Sequence, residues 1–184
     1  MSINLRAIWN DGWAVLRARW YLREANSLGP RARVWGRPVV HNWGVMHIGP
    51  RLRLVSTIAT TELVVGSGGR LEIGESVFIN YGCSISANAF VRIGDRCSIG
   101  TYVIIMDNDF HQTDPERREE RPPSAPVVLE ENVWLGARVI VLKGVTIGHD
   151  TTIGAGSVVT RDIPPRCVAA GVPARVIRKL EPGG

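Results

Sequence analysis

Aliphatic residues recur every six positions through the C-terminal half of the chain. They fall at Leu129, Leu135, Val141, Ile147, Ile153 and Val159. Four residues after each stands a small or β-branched side chain: Val133, Val139, Val145, Thr151, Ser157 and Ile163. An α-helix has a period of 3.6 and a long strand a period of 2, so neither produces this spacing. A parallel β-helix does, because each six-residue unit is one short strand and one turn. The pattern predicts that the aliphatic residue fills the interior and that the second residue shares it. Gly136, Gly148 and Gly154 directly follow aliphatic positions and are expected to supply positive-φ corners.

The same spacing runs earlier. Ile73, Ile79 and Ile85 pair with Val77, Cys83 and Ala89 as second inward residues, and Ile93, Ile99 and Ile105 with Cys97 and Val103. The step from Ile85 to Ile93 is eight, so one corner holds two extra residues. Residues 34–65 offer aliphatic points at Val34, Val40, Ile48, Leu54 and Val65 without a clean period, which suits an atypical terminal repeat. The fold expected is all-β: a parallel β-helix of roughly five coils between residues 48 and 163, about 25 Å long. A helical cap over 1–33 precedes the β-helix of 34–163, and a short basic tail over 164–184 follows it. Three flat outer faces suit a closed three-fold assembly.

Between Ile105 and Val127 the period stops. Residues 107–126, DNDFHQTDPERREERPPSAP, form a polar, proline-rich excursion between regular coils. Loops of this length in a compact fold are functional or disordered. Its base carries Asp107, Asp109 and His111, which reads as a general base on a rigid scaffold with acidic neighbours orienting its ring. His41 and His47, six apart, fall on adjacent faces as surface or turn residues rather than as a metal pair.

Residues 3–28 carry Ile3, Ile8, Trp9, Trp13, Leu16 and Trp20 at near-helical spacing, and Gly29-Pro30 stops the run. Two readings stay open: a helix capping the open end of the β-helix, and an interfacial helix on an anionic membrane, where Trp and Arg suit the boundary. The net charge of +5 bears on this choice. Seven arginines within residues 1–37 face only Asp11 and Glu24, so the remainder of the 184 residues is neutral overall. A nucleic-acid partner is disfavoured, because that function places a basic stripe on the folded body. The three cysteines lack metal spacing and read as buried thiols. No run of 18 apolar residues and no leader peptide is visible, so the cytoplasm is the expected compartment, with peripheral membrane contact left to the first helix. At the other end, Arg175, Arg178 and Lys179 give a basic terminus suited to a polyphosphate.

Over residues 65–180, the hexads together with VWLGARVIVLKGVTIGHDTTIGAGSVVTRDIPP and AAGVPARVI resemble the left-handed β-helix, hexapeptide-repeat acyltransferases. The pattern is most similar to the galactoside and maltose O-acetyltransferases and to the O-acetyltransferases of lipopolysaccharide and exopolysaccharide assembly. The left hand of the coil is implied by the resemblance alone, since parallel crossovers are right-handed as a rule. The resemblance further implies direct acetyl transfer from acetyl-CoA to a sugar hydroxyl, without a metal, in a pocket between two subunits of a homotrimer. Carried over residue by residue, it makes His111 the base and puts the main-chain N–H of Ala137 at the tetrahedral oxyanion. Asn80, Trp134 and Asp109 then lie at the acceptor. Gly136, Gly154 and Ala155 line the pantetheine, Thr160 and Arg161 lie near pantetheine and adenine, and Arg175, Arg178 and Lys179 meet the phosphates. The N-terminal region departs from the sugar acetyltransferases, and its basic aromatic helix would suit lipid-linked acceptors. N-acetylation of an aminosugar or antibiotic uses the same residues and is the alternative activity. A zinc hydratase needs three converging histidines, and only His111 of the four lies in the excursion. A non-catalytic assembly scaffold is the remaining reading.

Overall fold

In this computed structural model, which describes the backbone of residues 5–181 and the side chains of residues 12–181, the chain winds through three parallel sheets in rotation. The first face stacks Ser27–Leu28, Val45–Ile48, Arg70–Ile73, Phe90–Ile93, Val127–Leu129 and Thr146–Ile147. The second stacks Arg33–Gly36, Arg53–Ser56, Phe78–Ile79, Ser98–Ile99, Trp134–Leu135, Thr152–Ile153 and Cys167–Gly171. The third stacks Val39–Asn42, Glu62–Val65, Ser84–Ala87, Ile104–Met106, Ile140–Val141 and Val158–Val159. This is the parallel β-helix expected from the hexads. Its interior is one continuous aliphatic cluster running from Ala18 to Ala174. Each fully buried Val, Leu or Ile in it stabilises the column by about 1.5–3 kcal/mol.

The column is longer than roughly five coils: each face holds at least six parallel strands. The extra coils come from residues 27–65, where the sequence shows no clean period. Val34, Val40, Ile48, Leu54 and Val65 are all buried there. The period is lost because these rungs have four-residue strands and longer corners. Arg33 pairs with Arg53, twenty residues on, and Arg53 with Phe78, twenty-five on. After the excursion Trp134 pairs with Thr152, eighteen on, which is three strict hexads. The long corner after Ile85 also moves one inward position: Ala87 is buried and Ala89 only half-buried.

The glycines after the aliphatic positions do not supply the positive φ. At the first-to-second-face corner that conformation falls two residues later, at Arg96, Asn132 and Asp150, and at the second-to-third-face corner it falls at Tyr102 and Arg138. Gly136 and Gly148 are needed for close stacking instead. A Cβ on Gly136 would sit 2.7 Å from the Ala155 nitrogen, and one on Gly148 2.3 Å from the Pro165 nitrogen. The non-glycine corners cost about 1–2 kcal/mol each and are held by the rung below, as in Asn132 N–H to Asp95 O at 2.8 Å.

The N-terminal helix, described over Leu5–Tyr21, ends before the expected limit at residue 28. Its chain continues into the first rung, because Asn26 already exchanges bonds with Met46: Asn26 N–H to Met46 O and Met46 N–H to Asn26 Oδ1, both 2.8 Å. Ala14, Ala18 and Leu22 pack against the column, and Ala18 and Leu22 join its core, so the helix closes this end. Ile3 and the side chains of Ile8 and Trp9 lie outside the described residues. At the other end, residues 167–179 are no loose tail: Ala174–Lys179 turns back antiparallel on Cys167–Gly171.

Burial pushes the thiols of Cys83 and Cys97 up to about 11. A thiol-directed reagent at mildly alkaline pH is therefore expected to leave both unmodified in the native protein and to react with both after denaturation. Ellman titration checks this, and rapid native reaction at either position would contradict the packing.

Candidate active site

The excursion leaves the third face after Met106 and rejoins the first at Val127, and its two limbs are tied at the base. Asp107 is fully buried. Its carboxylate accepts from the backbone N–H groups of Asn88 at 2.8 Å, Ala89 at 2.6 Å and Phe90 at 2.8 Å, which are the residues of the enlarged corner beside it. Its carbonyl accepts from Ala125 N–H at 2.9 Å, joining outgoing and returning limbs. Asn108 donates to Ser124 Oγ at 2.8 Å. Lys143, stacked one coil on, reaches both limbs: Nζ lies 2.6 Å from Asp109 Oδ2 and donates to Pro123 O at 3.2 Å.

On this tied base stands His111, exposed, its backbone N–H donating to Asp109 O at 2.8 Å. Its ring partner is the Arg118 carbonyl, 3.1 Å from Nδ1, and neither Asp107 nor Asp109 orients it as the sequence suggested. Both acids are engaged elsewhere. A carbonyl can only accept, so Nδ1 carries the proton of the neutral ring and the free lone pair sits on Nε2. That is the protonation pattern a general base needs.

A second set of expected residues lies at the corners between the second and third faces. Asn80, Gly136, Ala137, Gly154 and Ala155 follow the strands Phe78–Ile79, Trp134–Leu135 and Thr152–Ile153 in register. Asn80 has no left-handed backbone; that conformation belongs to Gly82. Its Oδ1 accepts from the Tyr81 N–H at 2.9 Å. Gly100, Gly136 and Gly154 take this asparagine's place one, two and three coils on, and the N–H groups of Ala137 and Ala155, two and three coils beyond that of Tyr81, have no hydrogen-bond partner among the described residues. The Ala137 N–H is thus an available main-chain donor at a half-buried corner. At the same corner stand Tyr81, Tyr102 and Arg138, Tyr102 edge-on to Tyr81 at 5.6 Å and Arg138 over Tyr102 at 5.3 Å. Sequence reasoning missed these three, although the rung register places them there.

Trp134 projects outward from the second face into a groove it shares with Asn132, Asp150, Arg166, Arg178 and Lys179. The Asn132 amide, followed by His149, holds the Asp150 carboxyl below the usual carboxylate range. Arg175 lies on the same returning strand, opposite Ala170. Thr160 and Arg161 are exposed at the third-to-first-face corner, on the edge from which the excursion springs. Within one chain, then, His111, Asp109, Thr160 and Arg161 stand on one edge of the third face. Asn80, Gly136, Ala137, Gly154 and Ala155 stand on the other, and the fold does not bring the two sets together. Among the described residues no three His, Cys, Asp or Glu side chains converge as metal ligands.

Comparison with known proteins bears on this arrangement. The family model of the bacterial transferase hexapeptide (six repeats) matches residues 126–161. The chain is 40% identical over 113 residues to the galactoside O-acetyltransferase of Escherichia coli K12, across 61% of this chain and 56% of that protein. It spans little more than half the length of the curated relatives it matches. A hexapeptide-repeat acetyltransferase from Vibrio cholerae, crystallised with acetyl coenzyme A, superimposes with a TM-score of 0.64 at 27% identity, covering 98% of this chain and 91% of that one. A galactoside acetyltransferase in complex with coenzyme A gives 0.64 at 29% identity, over 92% and 82%. The chain carries the bacterial transferase hexapeptide repeat on a parallel β-helix, and in sequence and fold it resembles the hexapeptide-repeat acyltransferases, the galactoside O-acetyltransferases among them.

Proposed function

We propose that this protein is an acetyl-CoA-dependent O-acetyltransferase acting on a sugar hydroxyl, in surface polysaccharide or lipopolysaccharide synthesis. The observation that carries the reading is the His111 ring, with Nδ1 committed to the Arg118 carbonyl and Nε2 left as the base, on a chain whose relatives are named acetyltransferases. Nε2 takes the acceptor hydroxyl proton as that oxygen attacks the thioester carbonyl. The oxygen that becomes negative in the tetrahedral species is met by the Ala137 N–H, a donor already in place and needing no reorganisation. As the species collapses, the C–S bond breaks, the sulfur leaves, and His111 returns the proton to it.

Because His111 and Ala137 occupy opposite edges of one face, the complete site takes its base from one copy and its oxyanion donor from the next. A closed homotrimer supplies three such sites by symmetry. Trp134 and Asn80 then receive the sugar, with Asp109 beside it. Gly136, Gly154 and Ala155 line the pantetheine arm with Thr160 and Arg161 along it, and Arg175, Arg178 and Lys179 neutralise the phosphates.

The test is incubation with acetyl-CoA against sugars, nucleotide-sugars and aminosugars while free thiol is followed. Cys83, Cys97 and Cys167 are buried and contribute little background. Thiol release with hydroxyl acceptors supports the reading. Release confined to amine acceptors would replace it with N-acetylation, and none across a broad panel would count against transfer altogether.

A further inference from the structure

The N-terminal helix packs two alanines on the column, with Leu22 just past its end, and turns Trp13, Leu16 and Trp20 outward. Ala14, Ala18 and Leu22, four apart, face the column, whereas Trp13, Leu16 and Trp20 are 54%, 55% and 65% exposed. An exposed helix of a water-soluble domain normally shows the reverse. Arg17, Arg19 and Arg23 flank this apolar stripe, all exposed. Arg23 lies over the Trp20 ring at 5.0 Å and donates to the Trp20 carbonyl at 2.8 Å. No acidic side chain occurs between Gly12 and Arg23, and Glu24 is turned back to accept from the Asn42 N–H at 3.1 Å. Next to the helix, Arg17 lines a cleft with Arg37, Ser56, Thr57 and Ile58, and Ile58 is itself 75% exposed. The chain's whole charge excess sits at this end.

We propose that this face seats the end of the column in the headgroup region of an anionic phospholipid bilayer. Indole rings rest at the headgroup level with their N–H groups wet, leucine reaches below them, and the arginines meet lipid phosphates. Among the described residues no helix is long and apolar enough to cross a membrane, so the helix lies in the interface plane. Charge decides against a second copy as occupant. Two such faces packed together would bring Arg17, Arg19 and Arg23 against the same three cations, and residues 12–23 hold no carboxylate to offset them. An anionic bilayer supplies the opposite charge over the whole face.

The experiment is co-sedimentation of the 184-residue chain with phosphatidylcholine vesicles, with and without phosphatidylglycerol, at low and high salt. It needs no acetyl donor, so its outcome is separate from that of the transferase assay. Partitioning is expected only onto the anionic vesicles and is expected to weaken with salt. Each of R17Q, R19Q and R23Q should lower the partition coefficient about fivefold. Trp13→Ser with Trp20→Ser should lower it by more than about tenfold. These positions are exposed, and far-UV circular dichroism will verify that the variants remain folded. Absence of binding to anionic vesicles, equal binding to neutral ones, or full binding by a variant carrying R17Q, R19Q and R23Q together would each overturn the proposal. So would a concentration-dependent association that the tryptophan variant abolishes without any lipid binding, since that would give the face to a second copy.

Discussion

Replacing His111 with alanine is expected to lower kcat by about two to four orders of magnitude, with little change in KM for acetyl-CoA. The ring is exposed and makes one hydrogen bond, Nδ1 to the Arg118 carbonyl, so its removal leaves no buried group unpaired. The melting temperature should therefore stay close to that of the parent while turnover collapses. A sugar hydroxyl has a pKa far above neutrality, and without a base its attack on the thioester waits on water to take the proton. Added imidazole, which can occupy the vacated volume, should restore part of the rate. Retention of full activity by His111→Ala in the thiol-release assay would end the assignment of His111 as base. A parallel loss of stability and activity would instead make the ring a prop for the loop.

The excursion that carries His111 was legible in the sequence for a physical reason: a strict period makes any departure from it conspicuous, and this is the longest departure. The hexads were legible from Trp134 to Val159 because the strands there are two residues long and the corners between them four. The coils over 27–65 were hidden because four-residue strands and coils of twenty or more residues blur the period, although the same aliphatic positions are buried. The helix illustrates a different limit. Trp13, Leu16 and Trp20 make one helical stripe and Ala14, Ala18 and Leu22 make another, and hydrophobicity alone favours the wrong one as the packing face. Close approach of a helix to the end of a column selects small residues, which periodicity does not weigh. Lys143 was likewise readable only through register. Ile104 pairs with Ile140, which sets Lys143 one coil from Asp107 and within reach of both limbs of the excursion. The ring-orienting role expected of Asp107 and Asp109 was misjudged because proximity in sequence to a histidine says nothing about where each carboxylate finds donors.

Replacing Asp107 with alanine is expected to destabilise the protein by about 3–5 kcal/mol, the second large effect. The carboxylate is fully buried and receives three backbone N–H groups, from Asn88, Ala89 and Phe90. Alanine strands all three, and each buried donor left unsatisfied costs about 1–3 kcal/mol before relaxation. Residues 88–90 are half-buried, so entering water recovers part of that and holds the total to the lower end of the sum. In a chain of this size the melting temperature should fall by about 10 °C. Asp107→Asn should fall between parent and alanine: its remaining oxygen can take two of the donors, but its NH₂ then points at the third. Scanning calorimetry of both variants checks the order. A shift under about 2 °C for Asp107→Ala would show that the corner finds other acceptors. The same substitution frees the enlarged corner and the base of the excursion together, because Asp107 is the residue that joins them. Hydrogen exchange at residues 88–90 and 107–126 should rise as one unit. Activity lost by this route would come from a displaced His111, so imidazole should rescue Asp107→Ala far less than His111→Ala, in which the loop still holds its shape and only the ring is missing.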